Sequence, residues 1–489
     1  MFNSIKESPI YPIVNPQSIA FFGASNNFAS MGSNLLSSVR SLGFEGAIYP
    51  VHPKEKQVQG YKAYQNVLDL PETPDLAIIV LHTDIVCRAV EECGQKGIKH
   101  AIIISAGFKE VGGRGANQEK ELLDVAEKYG LRILGPNCLG VINPHHKLNT
   151  TWMPYEAPAG FIGMASQSGS FINQTLGRIS KLGLGFSTAF SVGNELNTDI
   201  VDCMEYLGAC PHTKVIALYI EGINRGRAFL EAARAIVPHK PIVALYVGGS
   251  EAGRRAGLSH TGAMAGPDNL YDGIFRQSGV IRARSITELF DFCWALGTLP
   301  ECKGRRVMIQ THSGGPGATA ADACGRAGLE VPALSPQTLE KLSELLPHTA
   351  SANNPVDVTF SRNPLFYYSE IPKALLENKD ADILLMYCYT PTESVIRSLE
   401  SLGASREEAA KQAVIRIDAQ SQAIAGLLER RDKPIIGFTY SSSDDRFIQG
   451  LVERGVPVFS GPEQAARVME ALVGYSSRRH GIMAGASEN

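Results

Sequence analysis

His260 is the one histidine in residues 248–266, GGSEAGRRAGLSHTGAMAG, where six glycines and four alanines surround it and Arg254, Arg255, Ser259 and Thr261 lie close in sequence. An imidazole can move a proton or form a bond through a ring nitrogen. Neighbours this small leave room for a group bulkier than a proton, and arginines with backbone N–H groups suit phosphoryl oxygens. The composition therefore favours covalent chemistry, with a plain glycine-rich surface loop as the bland alternative.

Three further positions could serve such a histidine or its substrate. Glu221 stands just past the apolar run 215–220, VIALYI, where a carboxylate can orient an imidazole through Nδ1–H or simply cap a strand. Ser168 and Gly169 belong to SQSGS (166–170), which opens the helical pattern FINQTLGRISKLG. Unsatisfied N–H groups and the helix dipole make such a start an anion site, although a serine there is also an ordinary N-cap. Gly23 and Ser25 lie in GASNNFASMG (23–32), a second loop leading to a helix N-terminus, near Gly32.

A nicotinamide fingerprint starting at Gly23 would need glycine at 25 and 28, but the chain has Ser25 and Phe28. Where that site would place an acidic residue for the ribose hydroxyls, YPVHPKEK supplies Lys54. A cation there suits a phosphorylated ribose or a pyrophosphate, or is a solvated lysine. Other strand-end loops follow at 81–83 and 105–110, and His82 in the first of them has no evident partner.

The elements that must carry these loops are short apolar, β-rich runs alternating with helical patterns. SIAFFGA, AIYPV, DLAIIV, HAIIIS and LRILG come first; FIGMAS, FSTAFSV, VIALYI, PIVALY and a weak VIR follow; RVMIQTH, DILLMYCY, PIIGFTY and VPVF come last. Such alternation predicts α/β architecture with parallel sheets, whose ligands sit at the carboxyl ends of the strands. Three consecutive domains are expected, at 1–150, 151–302 and 303–489, with the GPNCLGVINP stretch (135–144) opening the first connection. A last helix is predicted over residues 464–473, and the polar tail HGIMAGASEN reads as frayed.

With 44% hydrophobic and 19% charged residues and a net charge of −3 over 489 residues, nothing calls for nucleic acid or an anionic membrane as partner. The N-terminus lacks a signal peptide, and no uncharged stretch reaches the ~20 residues of a membrane span, so a cytoplasmic protein is expected. Nine scattered cysteines read as reduced core thiols. Without a CxxC pair or HxxxH helix, no protein-bound metal is expected.

Taken together, SHTGAMAG at 259–266, SQSGS at 166–170, GPNCLG at 135–140, VHPK at 51–54 and THSGGPGATAADACGRAGLE at 311–330 resemble the α subunit of NDP-forming acyl-CoA synthetases. The likeness runs from Ser18 to about Gly474 and is nearest to the ADP-forming acetate:CoA ligases; the succinyl-CoA synthetase α subunit is a more distant relative lacking the third domain. It implies a Rossmann-like CoA-binding domain followed by two flavodoxin-like domains. His260 would be the phosphorylated histidine, Glu221 its support, and Ser168 with Gly169 the receiver of phosphate. Gly23, Ser25 and Lys54, with Val80, Ser105 and Asn137, would contact CoA. VLHTD at 80–84 departs from the small or proline residues of many relatives at that wall.

The resemblance further implies a reaction in which phosphate attacks an acyl-CoA, and the acyl phosphate passes its phosphoryl to histidine and then to ADP. The acid would be acetate or another small carboxylate. No ATP-grasp region is found in the sequence, so ATP or ADP and Mg²⁺ are expected on a separate ATP-grasp β subunit, in an α2β2 assembly. The rival readings are an acyl or carbamoyl transferase on the same fold, a non-catalytic CoA-binding protein and a nicotinamide-dependent oxidoreductase.

Overall fold

In the computed structural model, residues 4–253, 255, 266–359, 363–429 and 432–487 are described. They form two compact units, residues 1–293 with 482–489, and residues 294–481. Among the described residues no helix is long and apolar enough to cross a membrane.

The first unit holds two sheets. One consists of five parallel strands in the order Ala47–Val51, Ser18–Phe22, Leu76–Ile79, His100–Ile103, Arg132–Leu134. Ser18–Phe22 and Leu76–Ile79 are buried at every position, as continuous apolar strands are when helices cover both faces of a parallel sheet. Because the first strand lies between the second and the third, the switch point of this sheet falls between Ser18–Phe22 and Leu76–Ile79. The loops carrying Gly23 and Val80 flank it.

The other sheet has seven strands, in the order Ile281–Ala283, Ile242–Tyr246, Val215–Ile220, Ile162–Ser166, Phe186–Ser191, Gly140–Asn143, Leu148–Asn149. The first five run parallel. Gly140–Asn143 and Leu148–Asn149 complete the edge antiparallel. From sequence, residues 140–149 read as a polar connection closing the first domain, whereas in the fold residues 140–143 and 148–149 are strands of the second sheet. They are too short to show a period, yet Val141, Ile142 and Leu148 are fully buried.

In the second unit, five parallel strands follow the order Val356–Asp357, Val307–Thr311, Ile383–Tyr387, Ile435–Thr439, Val458–Ser460. Val356–Asp357 has only two residues and carries no readable sequence signal. The C-terminal helix runs Pro462–Ser487, well past the predicted 464–473. Residues 480–487 of the tail that reads as frayed are therefore helical, which their alanines and methionine favour and no proline interrupts.

Candidate functional site

At the first switch point the backbone is packed as closely as it can be. Gly23 has φ +92°, and a Cβ there would stand 2.0 Å from the Val80 carbonyl oxygen. Gly32, in the first turn of the helix Met31–Ser41, would place a Cβ 2.2 Å from the Gly23 oxygen. Only glycine lets the strand end, the helix start and the neighbouring strand end converge in this way. Ser25 joins the cluster through its N–H, which donates to Ser33 Oγ at 3.0 Å, while the Ser33 hydroxyl donates to Ser25 O at 2.8 Å.

Lys54 lies past the second strand with its side chain exposed, and its N–H donates to His52 Nδ1 at 3.2 Å. Asn26, which sequence reasoning passes over, ties the first two strand-end loops together. Its amide donates to Gln57 O at 2.9 Å and to Glu55, and its Oδ1 accepts the Gln59 N–H at 2.8 Å.

From this corner a chain of contacts leads to the second sheet. Leu81, beside Val80, donates its N–H to Ser105 Oγ at 3.0 Å, and that hydroxyl donates to Leu81 O at 2.6 Å. Asn137, held at φ +58°, donates its N–H to Ser105 O at 2.9 Å and its side-chain amide to Asn194 Oδ1 at 3.2 Å. The Leu139 N–H donates to Ser191 Oγ at 2.9 Å, and Gly169 lies against Leu139 and Ser191. Val80, Ser105, Asn137 and Gly169 thus fall along one run of strand ends.

Ser168 is the N-cap of the helix Gly169–Lys181, and its side chain does not cap it. Ser166 instead donates its hydroxyl to Ser168 O at 2.7 Å. The first-turn N–H groups keep their donor capacity, as an anion site requires. Between Ser166 and Ser168, Gln167 crosses to the next strand end. Its Oε1 accepts the N–H groups of Glu221 and Gly222 at 2.5 and 3.0 Å, and its Nε2 donates to Gly222 O at 2.8 Å. Glu221 and the Ser168–Gly169 helix start are therefore held side by side. The amide is visible in the sequence, but its role depends on Ile162–Ser166 pairing with Val215–Ile220, which no local pattern encodes.

Glu195, also unread in the sequence, sits in the loop after Phe186–Ser191 with φ +56°. Its Oε1 accepts the Ile200 N–H at 2.9 Å, and its Oε2 accepts from Asn224 at 3.1 Å. Burial pushes its carboxyl up to about 7, against the opposing hydrogen bond from Gln167. It lines a cavity of about 290 Å³ with Arg132, Asn197, Asp199 and Arg225 among others. There Arg225 grips Asp199 with two donors, at 2.6 and 2.5 Å. Among the described residues no cluster of His, Cys, Asp or Glu is arranged to hold a metal.

His260 lies outside the described residues. The described ends of its segment lie beside Glu221. Val247 donates its N–H to Ile220 O at 2.9 Å, Gly249 packs on Asp268, and the Tyr246 hydroxyl donates to Gly266 O at 2.7 Å.

Three domain families match the chain in succession: a CoA binding domain over 17–144, a succinyl-CoA ligase-like flavodoxin domain over 159–296, and a Ligase-CoA domain over 307–418. Over 460 residues the chain is 39% identical to the α subunit of ADP-forming acetate–CoA ligase II from Pyrococcus furiosus, spanning 94% of this chain and 96% of that one. It is 38% identical to ADP-forming acetate–CoA ligase I from Archaeoglobus fulgidus, of which it spans 63%. Its fold matches dinucleotide-forming acetyl-coenzyme A synthetase 1 from Ca. Korarchaeum cryptofilum, solved with phosphate and ADP, with a TM-score of 0.87 and 30% identity over 98% of this chain and 99% of that one. The chain belongs to the NDP-forming acyl-CoA synthetase family, among its ADP-forming acetate–CoA ligase α subunits.

Proposed function

We propose that this chain is the α subunit of an ADP-forming acid:CoA ligase that interconverts acyl-CoA, ADP and phosphate with carboxylic acid, CoA and ATP. The observation that carries the reading is the run of contacts from Gly23 and Val80, through Ser105, Asn137 and Gly169, to Gln167 and Glu221. It makes one working edge of two sheets whose loops suit the pyrophosphate of CoA at one end and a phosphoryl group at the other. Gly23 forms a cradle that any Cβ would fill, Ser25 lies over the adjoining helix start, and the exposed Lys54 ammonium is suited to the CoA phosphates.

In the proposed sequence phosphate attacks the thioester carbonyl, forming a P–O–C bond as the C–S bond breaks and the thiolate of CoA leaves. A ring nitrogen of His260 then takes the phosphoryl group from the acyl phosphate, freeing the carboxylate. Ser168 and Gly169 hold its oxygens at the helix start, and Glu221 orients the ring. ADP finally accepts the phosphoryl group from the histidine. The nucleotide, with Mg²⁺, is assigned to a separate β subunit of ATP-grasp type in an α2β2 cytoplasmic assembly. This assignment draws support from the α-subunit relative and from the chain's 63% span of the longer one.

The test mixes the chain with that subunit, [γ-³²P]ATP and Mg²⁺. The chain becomes labelled in an acid-labile, base-stable form, and His260→Asn abolishes the label. Label that persists in the variant removes the histidine from the mechanism, and turnover without ADP would favour a transferase.

A further inference from the structure

The loop that follows Phe186–Ser191 is clamped at several points. Asn194 and Leu196 donate their N–H groups to the carbonyls of Pro136 and Gly135, at 2.8 and 3.0 Å. Gly193, at φ +60°, lies so close that a Cβ on it would stand 2.3 Å from Pro136 O. The Asn194 side chain donates to Glu110 at 2.7 Å and to Glu119 at 2.8 Å, and Lys109 pairs with Glu119 at 3.2 Å. Glu195, between these anchors, is held at φ +56°, a conformation that a glutamate keeps only where its surroundings over-determine it. Its carboxylate accepts from the Ile200 N–H, from Asn224 and from Gln167.

The last of these donors is the residue that fixes the end of Val215–Ile220. A carboxamide has two N–H donors and one oxygen. In Gln167 the oxygen holds the Glu221 and Gly222 N–H groups and one amide hydrogen goes to Gly222 O, so the bond to Glu195 takes the other. Only one orientation of the amide makes all four bonds. Turned over, it would set its NH₂ against two backbone N–H groups and its oxygen against a carboxylate. A protonated Glu195 removes that restraint, because its O–H can donate to the oxygen of a turned amide.

Burial places the ionisation of Glu195 at about 7, so both forms are present near neutrality. Asp199 opposes ionisation and Lys109 favours it. Among the described residues, the other charged groups around it are Asp202, Arg225 and Arg132, which line the same cavity, and Glu221, which shares Gln167. Arg225 directs its donors to Asp199 and Asp202, Arg132 donates to Asn197 O, and the buried Cys203 thiol stays protonated.

We propose that Glu195 is a positioning residue for phosphoryl transfer at His260: its ionised carboxylate locks the amide of Gln167, and with it the strand end that holds Glu221 beside the Ser168–Gly169 helix start. The inference rests on the ligase reading and adds a residue to that reaction. Protonation frees the amide to turn and release the Glu221 N–H, so transfer quickens as Glu195 ionises.

Wild-type chain and Glu195→Gln are each mixed with the nucleotide-binding subunit, [γ-³²P]ATP and Mg²⁺, and the rate of labelling is followed from pH 6 to pH 8.5. Glutamine keeps the size of the side chain but cannot ionise, so it stands in for the protonated form. The wild-type-to-variant rate ratio is expected to be about 1 at pH 6 and to climb to roughly tenfold by pH 8.5. Ionisation of the histidine or the nucleotide acts on both proteins and cancels in the ratio. A merely structural role gives a ratio that pH does not change, and that result overturns the proposal. In a Gln167→Met background the ratio should stay flat, and a ratio that still climbs there overturns the route through Gln167. If the wild-type chain takes no label, the ligase reading falls. Hydrogen exchange at the Glu221 and Gly222 amides at pH 8 then decides the positioning by itself: faster exchange in Glu195→Gln than in wild type upholds it, and equal exchange overturns it.

Discussion

The carboxamide of Gln167 satisfies three backbone groups at one strand end. This is how a side chain with no chemistry of its own fixes where Glu221 begins. Glu195 shares the cluster and adds a titratable group. An ordinary glutamate loses its proton near 4.5, but burial holds this one up to about 7. Between those values the unfolded chain releases a proton that the folded chain keeps, so the contribution of Glu195 to stability falls as pH rises through that window. Glu195→Gln removes this contribution. Melting temperatures at pH 5 and pH 8 should therefore differ less in the variant than in the parent, and an equal difference would show that Glu195 ionises as an exposed carboxylate does. Glu221 and Gly23 stand out in the sequence because each follows an apolar run directly, and Ser168 because its loop opens a helical pattern. Gln167 and Glu195 do not, because their roles come from partners 29 to 55 residues away that only the sheet order makes neighbours.

Buried parallel strands announce themselves as continuous apolar runs, which is why SIAFFGA and VIALYI coincide with Ser18–Phe22 and Val215–Ile220. Gly140–Asn143, Leu148–Asn149 and Val356–Asp357 have too few residues to carry such a run and emerge only from their partners. The helix Met31–Ser41 shows what an element must give up to serve a site. It approaches the first strand end so closely that a Cβ on Gly32 meets the Gly23 oxygen at 2.2 Å, and the atom it meets is backbone, which cannot swing aside. In Gly32→Ala the helix start must move off the loop. The expected result is a loss of about 1–3 kcal/mol in stability and at least tenfold weaker CoA binding, read by denaturant unfolding and by titration with CoA. Unaltered CoA affinity would place the nucleotide away from this turn.

At the scale of the whole molecule, the proposed CoA and phosphoryl chemistry falls in one of the two compact units: residues 1–293 with 482–489 hold the CoA-type loops and the Gln167–Glu221 edge, and residues 294–481 form the other. A ligand that binds the folded form of one unit stabilises that unit by RT ln(1 + [L]/Kd), about 2.7 kcal/mol at a hundredfold excess over Kd. For domains of this size that corresponds to a shift of roughly 5–10 °C. Calorimetry of the full chain should resolve two transitions, because units with separate cores unfold separately. CoA should raise one of them by about that amount and leave the other in place. ADP with Mg²⁺ should move neither until the partner subunit is added, since the proposed nucleotide site is not on this chain. If CoA moved both transitions equally, the two units would have to unfold as one, and a CoA site confined to the first would lose its physical basis.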